Sequence, residues 1–293
     1  MNRTSQTLVI QPDRPLDGLL LDILRRVDTV TADLGIQYFI GGALARDVVL
    51  FHVFGRDTGR ATRDVDVGIC IEEWSLLEAL RGRLVESGAF ALVAGVVHRL
   101  LYRPVGTELG IPLDLLPFGG VETNDHVIRW PPASDTVMSV AGFSEASDSV
   151  LMIEVAANFA VPVVSLPSLA ILKLMAWHDR HLVTPKDATD LLMIARKYAD
   201  AGNADRLFGA ESSLLQAFDF DGELAGAQLL GKDAATLCPV SAKRAVVEIL
   251  REPTLKQQLL DQALAATLVT RDDVASARVA LVLQAFQDGL ESG

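Results

Sequence analysis

Cysteine is nearly missing from the chain, with two residues, Cys70 and Cys238, among 293. So few and so far apart, they form neither a disulfide framework nor a zinc pattern, and they suit a reducing cytosol. The opening MNRTSQTLVI lacks the apolar centre of a signal peptide. Long uninterrupted apolar runs are absent too. The richest stretch, VLMIEVAANFAVPVVSLPSLAILKLMAW, is broken by Glu154, Asn158, Pro162, Pro167 and Lys173, whereas a membrane span needs about 20 largely unbroken apolar residues. A cytoplasmic protein without membrane association is expected.

Positive charge is scarce. Twenty-six Lys and Arg face 38 Asp and Glu, for a formal charge of −12 and a pI near 4.8. Nonspecific nucleic-acid binding relies on basic side chains displacing counterions from phosphates, so any such contact here needs a local basic patch. Internal repeats, charge blocks and low-complexity segments are missing, as are a Gly-x-Ser-x-Gly elbow, a P-loop and a Rossmann fingerprint. His98, His178 and His181 have no metal-binding spacing, and AWHDRH suits a loop or surface better than ligation.

Half of the residues are hydrophobic, enough for a sizeable core in one large domain or two ordinary ones. PLDGLLLDILRRVDTVTADLG carries Leu16, Leu19, Leu20, Ile23, Leu24 and Val27 at helical spacing and stops at Gly35. IQYFI predicts a strand ending at Gly41-Gly42. ALARDVVLFHVF predicts a helix with Leu44, Val48 and Phe51 on its apolar face. After the polar GRDTGRATR comes ATRDVDVGI, in which Val65, Val67, Ile69 and Ile71 share one side of a strand while Asp64, Asp66 and Gly68 share the other. SLLEALRGRLVESG predicts a helix. AFALVAGVVHRLLYRP and IPLDLLPF predict strands joined through VGTELG, and VLMIEVAANFAVPVVSL completes the sheet. On IPLDLLPF, Asp114 faces away from Leu113 and Leu115. From about residue 165 nearly everything is helical, starting with PSLAILKLMAWHDRHL and TPKDATDLLMIARKYADAG. The fold class expected is α+β: residues 1–165 as a mixed sheet flanked by helices, then an all-helical domain over 166–293.

Aspartate disfavours strands, and two unit charges about 4 Å apart repel by roughly 4 kcal/mol at an effective dielectric of 20. Asp64 and Asp66 either lie in water on a solvated strand face, or form with Asp114 a cluster that raises a pKa or binds a cation. A hard ion such as Mg²⁺ prefers carboxylate oxygens and shares its shell with phosphates and water. The Gly-Gly turn ahead of a helix suits phosphate, through free N–H groups and the absence of Cβ atoms.

In this combination, IGGALARD, ATRDVDVGI and IPLDLLPF resemble the core of the DNA polymerase β-type nucleotidyltransferase superfamily: Gly-Gly or Gly-Ser, a spacer, Asp-x-Asp and a later lone Asp. GGALARD is also similar to the Gly-Gly-x-x-Arg-Asp start of CCA-adding enzymes, with one extra residue before Arg46-Asp47. LPSLAILKLMAWHDR and PKDATDLLMI resemble the helical half of AbiEii-like nucleotidyltransferases, toxins of abortive-infection toxin–antitoxin systems. The resemblance spans about residues 36–197.

It implies that Asp64, Asp66 and Asp114 hold two Mg²⁺ ions (Mn²⁺ as a substitute), and that Gly41 and Gly42 cradle the triphosphate of a nucleoside triphosphate. The second position is often Ser in the superfamily, and Gly42 lacks that hydroxyl. The resemblance further implies that Lys173 contacts the triphosphate and that Asp190, with Asp187, belongs to the same helical pattern. Read from the residues alone, Lys173 equally covers apolar surface with its stem and reaches water with its amine, and Asp187 suits the helix dipole. Arg60 and Arg63 flank the Asp pair and either touch phosphates or pair with the acids. Arg46-Asp47 has the look of an ordinary surface pair.

The expected reaction is Mg²⁺-dependent transfer of a nucleoside monophosphate to an acceptor hydroxyl with release of pyrophosphate. A toxin-like acceptor (an RNA or tRNA 3′ end, or a protein) and a cognate antitoxin are implied. The alternatives are a small-molecule, antibiotic-type nucleotidyltransferase and a catalytically degenerate binding module. A haloacid-dehalogenase-like phosphatase, suggested by DVDVG, would need that motif directly after the first strand, and the earlier Gly-Gly unit argues against it.

Overall fold

A computed structural model describes residues 7–59, 62–104, 110–131, 137–238, 240–265 and 273–293. They divide into two compact units, residues 1–55 with 59–165, and residues 56–58 with 166–293.

In the first unit, strands β1 (Leu8–Val9), β2 (Gln37–Ile40), β3 (Val65–Cys70), β4 (Phe90–Val93), β5 (Val96–Tyr102), β6 (Ile111–Phe118), β7 (Val127–Arg129), β8 (Val137–Ser139), β9 (Leu151–Ala156) and β10 (Phe159–Val163) alternate with α1 (Gly18–Leu34), α2 (Gly42–Asp47), α3 (Trp74–Glu86) and α4 (Phe143–Asp148). Eight strands form a mixed sheet in the order β1-β9-β10-β2-β3-β6-β5-β4, and β7 pairs with β8 separately. The expected mixed sheet flanked by helices is the one observed.

Helix α1 begins where the Asp17 carboxylate accepts the Leu19 and Leu20 N–H groups, and it ends at Gly35, whose φ of 65° no β-carbon opposes. Its buried stripe of Leu20, Ile23, Leu24 and Val27 covers the sheet face formed by Val65, Val67, Ile69, Leu113 and Leu115, all fully buried. Tyr38 donates to Asp28 at 2.8 Å and Tyr102 donates to Asp22, fastening that helix to strands on both sides of β3.

The opposite face carries the acids and an aromatic floor, Phe39, Phe118 and Phe143, with ring centroids 5.7 to 5.9 Å apart. Gly68 lies under this floor. A β-carbon there would collide with the Phe39 ring, so the room left beside the carboxylates is filled by an aromatic side chain.

Three elements depart from expectation. The helix after Gly-Gly passes at Val48–Val53 into a wider π-turn, which shifts the inward face: Val49, Leu50 and Val53 are buried and Phe51 is exposed. AFALVAGVVHRLLYRP is a hairpin rather than one strand, because Gly95 adopts φ 74° between β4 and β5. The turn expected at VGTELG lies, for residues 105–109, outside the described residues.

The second unit contains α5 (Leu166–Arg180), α6 (Lys186–Lys197), α7 (Ala204–Phe208), α8 (Ser212–Ala217), α9 (Gly222–Leu237), α10 (Val240–Arg251), α11 (Pro253–Ala265) and α12 (Asp273–Ser292). Helix α9 is its axis and α12 lies along it. A β-carbon on Gly231 would strike the Phe286 carbonyl oxygen, and one on Gly289 would strike that of Gln228. The two backbones are therefore in direct contact. Near the start of α9, Asp221 caps the Glu223 and Leu224 N–H groups while accepting Arg278 of α12 at 2.6 and 2.8 Å. The Arg278 hydrogen bonds hold the Asp221 carboxyl below the usual carboxylate range.

Gly289→Ala forces α9 and α12 apart. The expected outcome is a loss of about 1–3 kcal/mol of stability in urea unfolding, whereas Gly82→Ala on α3, with open space at its β-carbon, leaves the midpoint unchanged or raises it.

Candidate active site

Four strands place one row of groups across the acidic face. The N–H of Gly41, just beyond β2, donates to the Asp66 carbonyl at 2.8 Å. Asp66 on β3 is the register partner of Asp114 on β6, and Asp114 is the register partner of Arg99 on β5. Register partners point the same way, so Asp66, Asp114 and Arg99 share a side of the sheet. Asp64, two residues before Asp66, is exposed; Asp66 is half-buried and Asp114 is 9% exposed.

Arg99 was not anticipated from sequence. It grips Asp114 with both prongs, Nε to Oδ1 and Nη2 to Oδ2, each at 2.6 Å. The hydrogen bonds to Asp114 raise the guanidinium pKa, and the charges of Asp64 and Asp66 add to this. One cation thus feels all three carboxylates.

The two glycines serve Asp66. Gly42 adopts φ 60°, and a β-carbon there would overlap the Asp66 carboxylate. The hydroxymethyl group of a serine at this position would stand where that carboxylate lies, which explains why Gly42 departs from the Gly-Ser form.

Arg46 and Asp47 are not a surface pair. They are 1% and 5% exposed, with Arg46 donating to Asp47 Oδ1 at 2.8 and 2.6 Å. Asp47 Oδ2 accepts the Thr62 N–H at 3.1 Å, and Thr62 Oγ1 accepts the Asp64 N–H at 3.3 Å. The pair anchors the segment that delivers Asp64. Arg63 is exposed beside it, and Arg60 lies outside the described residues.

Within the second unit, Lys173 does not reach water. Its amine is 3.1 Å from Asp187 and 2.6 Å from Asp190, and all three side chains are at most 8% exposed. Arg180, one helical face along from Lys173, completes the cluster on Asp187 at 2.6 and 3.0 Å. Asp187 is accordingly an ion-pair member as well as a first-turn acid. Burial pushes its pKa up, but the hydrogen bonds and charges of Arg180 and Lys173 outweigh it and leave a net lowering.

All three acids of the row offer hard oxygen donors, and that chemistry fits a divalent cation. Among the described residues no three His, Cys, Asp or Glu side chains converge as a closed metal cage would require, and Arg99 occupies both oxygens of Asp114.

Gly42→Ala displaces the Asp66 carboxylate. The expected result is a loss of nucleotidyl transfer of about 10²-fold, the scale of a misplacement near 1 Å, with the circular dichroism spectrum retained. Asp187→Asn removes one of the two carboxylates facing the buried Lys173 amine and costs about 1–3 kcal/mol at pH 7. Because its native pKa lies below 3.8, the Asp187 contribution is complete above that value and fades as pH falls through the native pKa. The stability gap between wild type and Asp187→Asn, followed by urea unfolding, therefore closes only below pH 3.8.

The model of the nucleotidyl transferase AbiEii toxin family, of type IV toxin–antitoxin systems, matches residues 23–277. Among curated proteins, none matches the chain by sequence. Similar solved structures include an antigenic nucleotidyltransferase-like protein from Paracoccidioides brasiliensis, at 17% identity and TM-score 0.42, covering 71% of this chain and 93% of that one. The antibiotic-resistance factor ANT(2'')-Ia, bound to adenylyl-2''-tobramycin, is 17% identical with TM-score 0.35, covering 69% of this chain and 96% of that one. A Thermotoga maritima CCA-adding enzyme complexed with tRNA is 10% identical with TM-score 0.26, covering 96% and 82%. The assignment rests on the match over residues 23–277: the chain belongs to the AbiEii family of nucleotidyl transferase toxins, and its chemistry is nucleotidyl transfer.

Proposed function

We propose that the first unit is the catalytic domain, and that it moves a nucleoside monophosphate from a nucleoside triphosphate to a hydroxyl of a macromolecular acceptor, an RNA 3′ end or a protein, in a Mg²⁺-dependent reaction. The reading is carried by one observation: Asp66 and Asp114 are register partners on adjacent parallel strands, and the charge of Asp64 acts on the same guanidinium as theirs. Asp64, Asp66 and Asp114 would hold the Mg²⁺. An ion held there would supply a lowered pKa to an attacking hydroxyl and charge to balance the pyrophosphate leaving group.

The residues around them do the positioning. Gly42 admits the Asp66 carboxylate, and Gly41 fixes the backbone that carries it. Arg46 and Asp47 hold the approach to Asp64. Gly41 and Gly42 stand at the start of α2, where the first N–H groups of a helix favour phosphate, and exposed Arg63 supplies a cation beside the same strand. The net charge of −12 makes broad nucleic-acid binding unfavourable, so an RNA acceptor would be held through local contacts. Family membership supports a cognate antitoxin as partner.

Asp64→Ala and Asp66→Ala are expected to reduce transfer of labelled nucleotide by about 10²–10³-fold without altering the circular dichroism spectrum. Unchanged transfer in the double variant would remove the metal assignment. Incubation with each labelled triphosphate and total cell extract should place the label on RNA or protein. Label confined to small solutes would replace the toxin-like acceptor with an antibiotic-type one.

A further inference from the structure

The bidentate pair Arg99–Asp114 links β5 and β6 beside the backbone ladder that already joins them, and the Arg99 side chain is 38% exposed. It lies in the same row as Asp66 and Asp114, and a surface cation held to one carboxylate by two bonds of 2.6 Å is a competitor for any other cation seeking that carboxylate. We propose that Arg99 is a built-in counter-cation that keeps Asp114 closed to metal in the nucleotide-free protein, limiting the row to one divalent ion at Asp64 and Asp66. The inference rests on the metal reading given above and deepens it.

Removing Arg99 would take one positive charge from beside Asp114 and leave that carboxylate easier for an added cation to reach. A guanidinium is also a bidentate phosphate ligand. An arriving triphosphate offers Arg99 oxygen acceptors in place of Asp114, and the exchange would open Asp114 to a second ion when its substrate is present. A guanidinium keeps its charge throughout the working pH range.

The test is Mn²⁺ binding to the full chain without turnover, by electron paramagnetic resonance of free Mn²⁺ and by calorimetry. Wild type is expected to bind one ion. Asp114→Asn should leave that affinity within about twofold, whereas Asp66→Asn weakens it about 10-fold or more. Arg99→Met should tighten binding about 10-fold or admit a second ion, and Asp114→Asn in that background should cancel the gain. A nonhydrolysable triphosphate should raise the wild-type stoichiometry to two. Should Arg99→Met not fold, Arg99→Lys keeps the charge and loses the second prong, and an intermediate gain is expected. Asp114→Asn weakening wild-type binding as strongly as Asp66→Asn would overturn the proposal, as would Arg99 variants that bind Mn²⁺ like wild type. Those failures leave the metal reading standing. Wild type that binds no Mn²⁺, with or without triphosphate, removes the metal reading itself and the inference with it.

Discussion

Pairing of β3 with β6 in register sets Asp66 beside Asp114, and much of the first unit exists to make that tolerable. Neighbouring strands lie about 4.8 Å apart, where two unit charges repel by roughly 3 kcal/mol at an effective dielectric of 20. A sheet that needed only to be stable would place opposite charges, or none, at such positions. The pairing is held in place by the other face. A slip of one residue would turn Val65, Val67 and Ile69, all fully buried, out of the core. Hydrophobic burial under α1 thus enforces an electrostatic cost above it, and Arg99 offsets part of that cost from the next strand.

Small residues next to these acids act by leaving space for particular side chains. Gly42 leaves it for the Asp66 carboxylate and Gly68 for the Phe39 ring. The aromatic floor of Phe39, Phe118 and Phe143 lies next to the carboxylates on the same side. It lines the sheet beside the acids with apolar surface, with Phe39 and Phe118 each 1% exposed. Arg46 and Asp47 act at the other end of the row, where a buried pair fixes the segment before Asp64.

Local chemistry made much of this legible from sequence. Period-two alternation separates Val65, Val67 and Ile69 from Asp64 and Asp66, and Gly41-Gly42 marks a strand-to-helix turn; both are written within a few residues. Arg99 was not legible, because its role depends on the register of β5 against β6 and nothing in VVHRLLY distinguishes it from a solvent-facing arginine. Arg46-Asp47 failed for a related reason, since the contact of Asp47 with the Thr62 N–H joins residues fifteen apart in the chain. The Phe51 expectation failed through the π-turn at Val48–Val53, one wide turn that breaks the 3.6-residue spacing. Gly95 was visible, yet apolar residues on both sides of it outweighed the turn signal. In the second unit, helical spacing revealed helices but could not say which faces meet, and the contact of α9 with α12 at Gly231 and Gly289 appears only in three dimensions.

The two ion clusters of the protein differ in a way that bears on their roles. In the second unit Lys173 and Arg180 face Asp187 and Asp190, a balanced set with the acids and the lysine buried. These ion pairs tie α5 to α6, and removing one member leaves a buried charge behind. In the first unit one guanidinium faces three carboxylates, and the row lies partly open to solvent. Asp64, on the same side of the sheet, is exposed. Acids held open to solvent in this way are what the proposed metal reading requires, whereas the acids of the second unit are already engaged by Lys173 and Arg180.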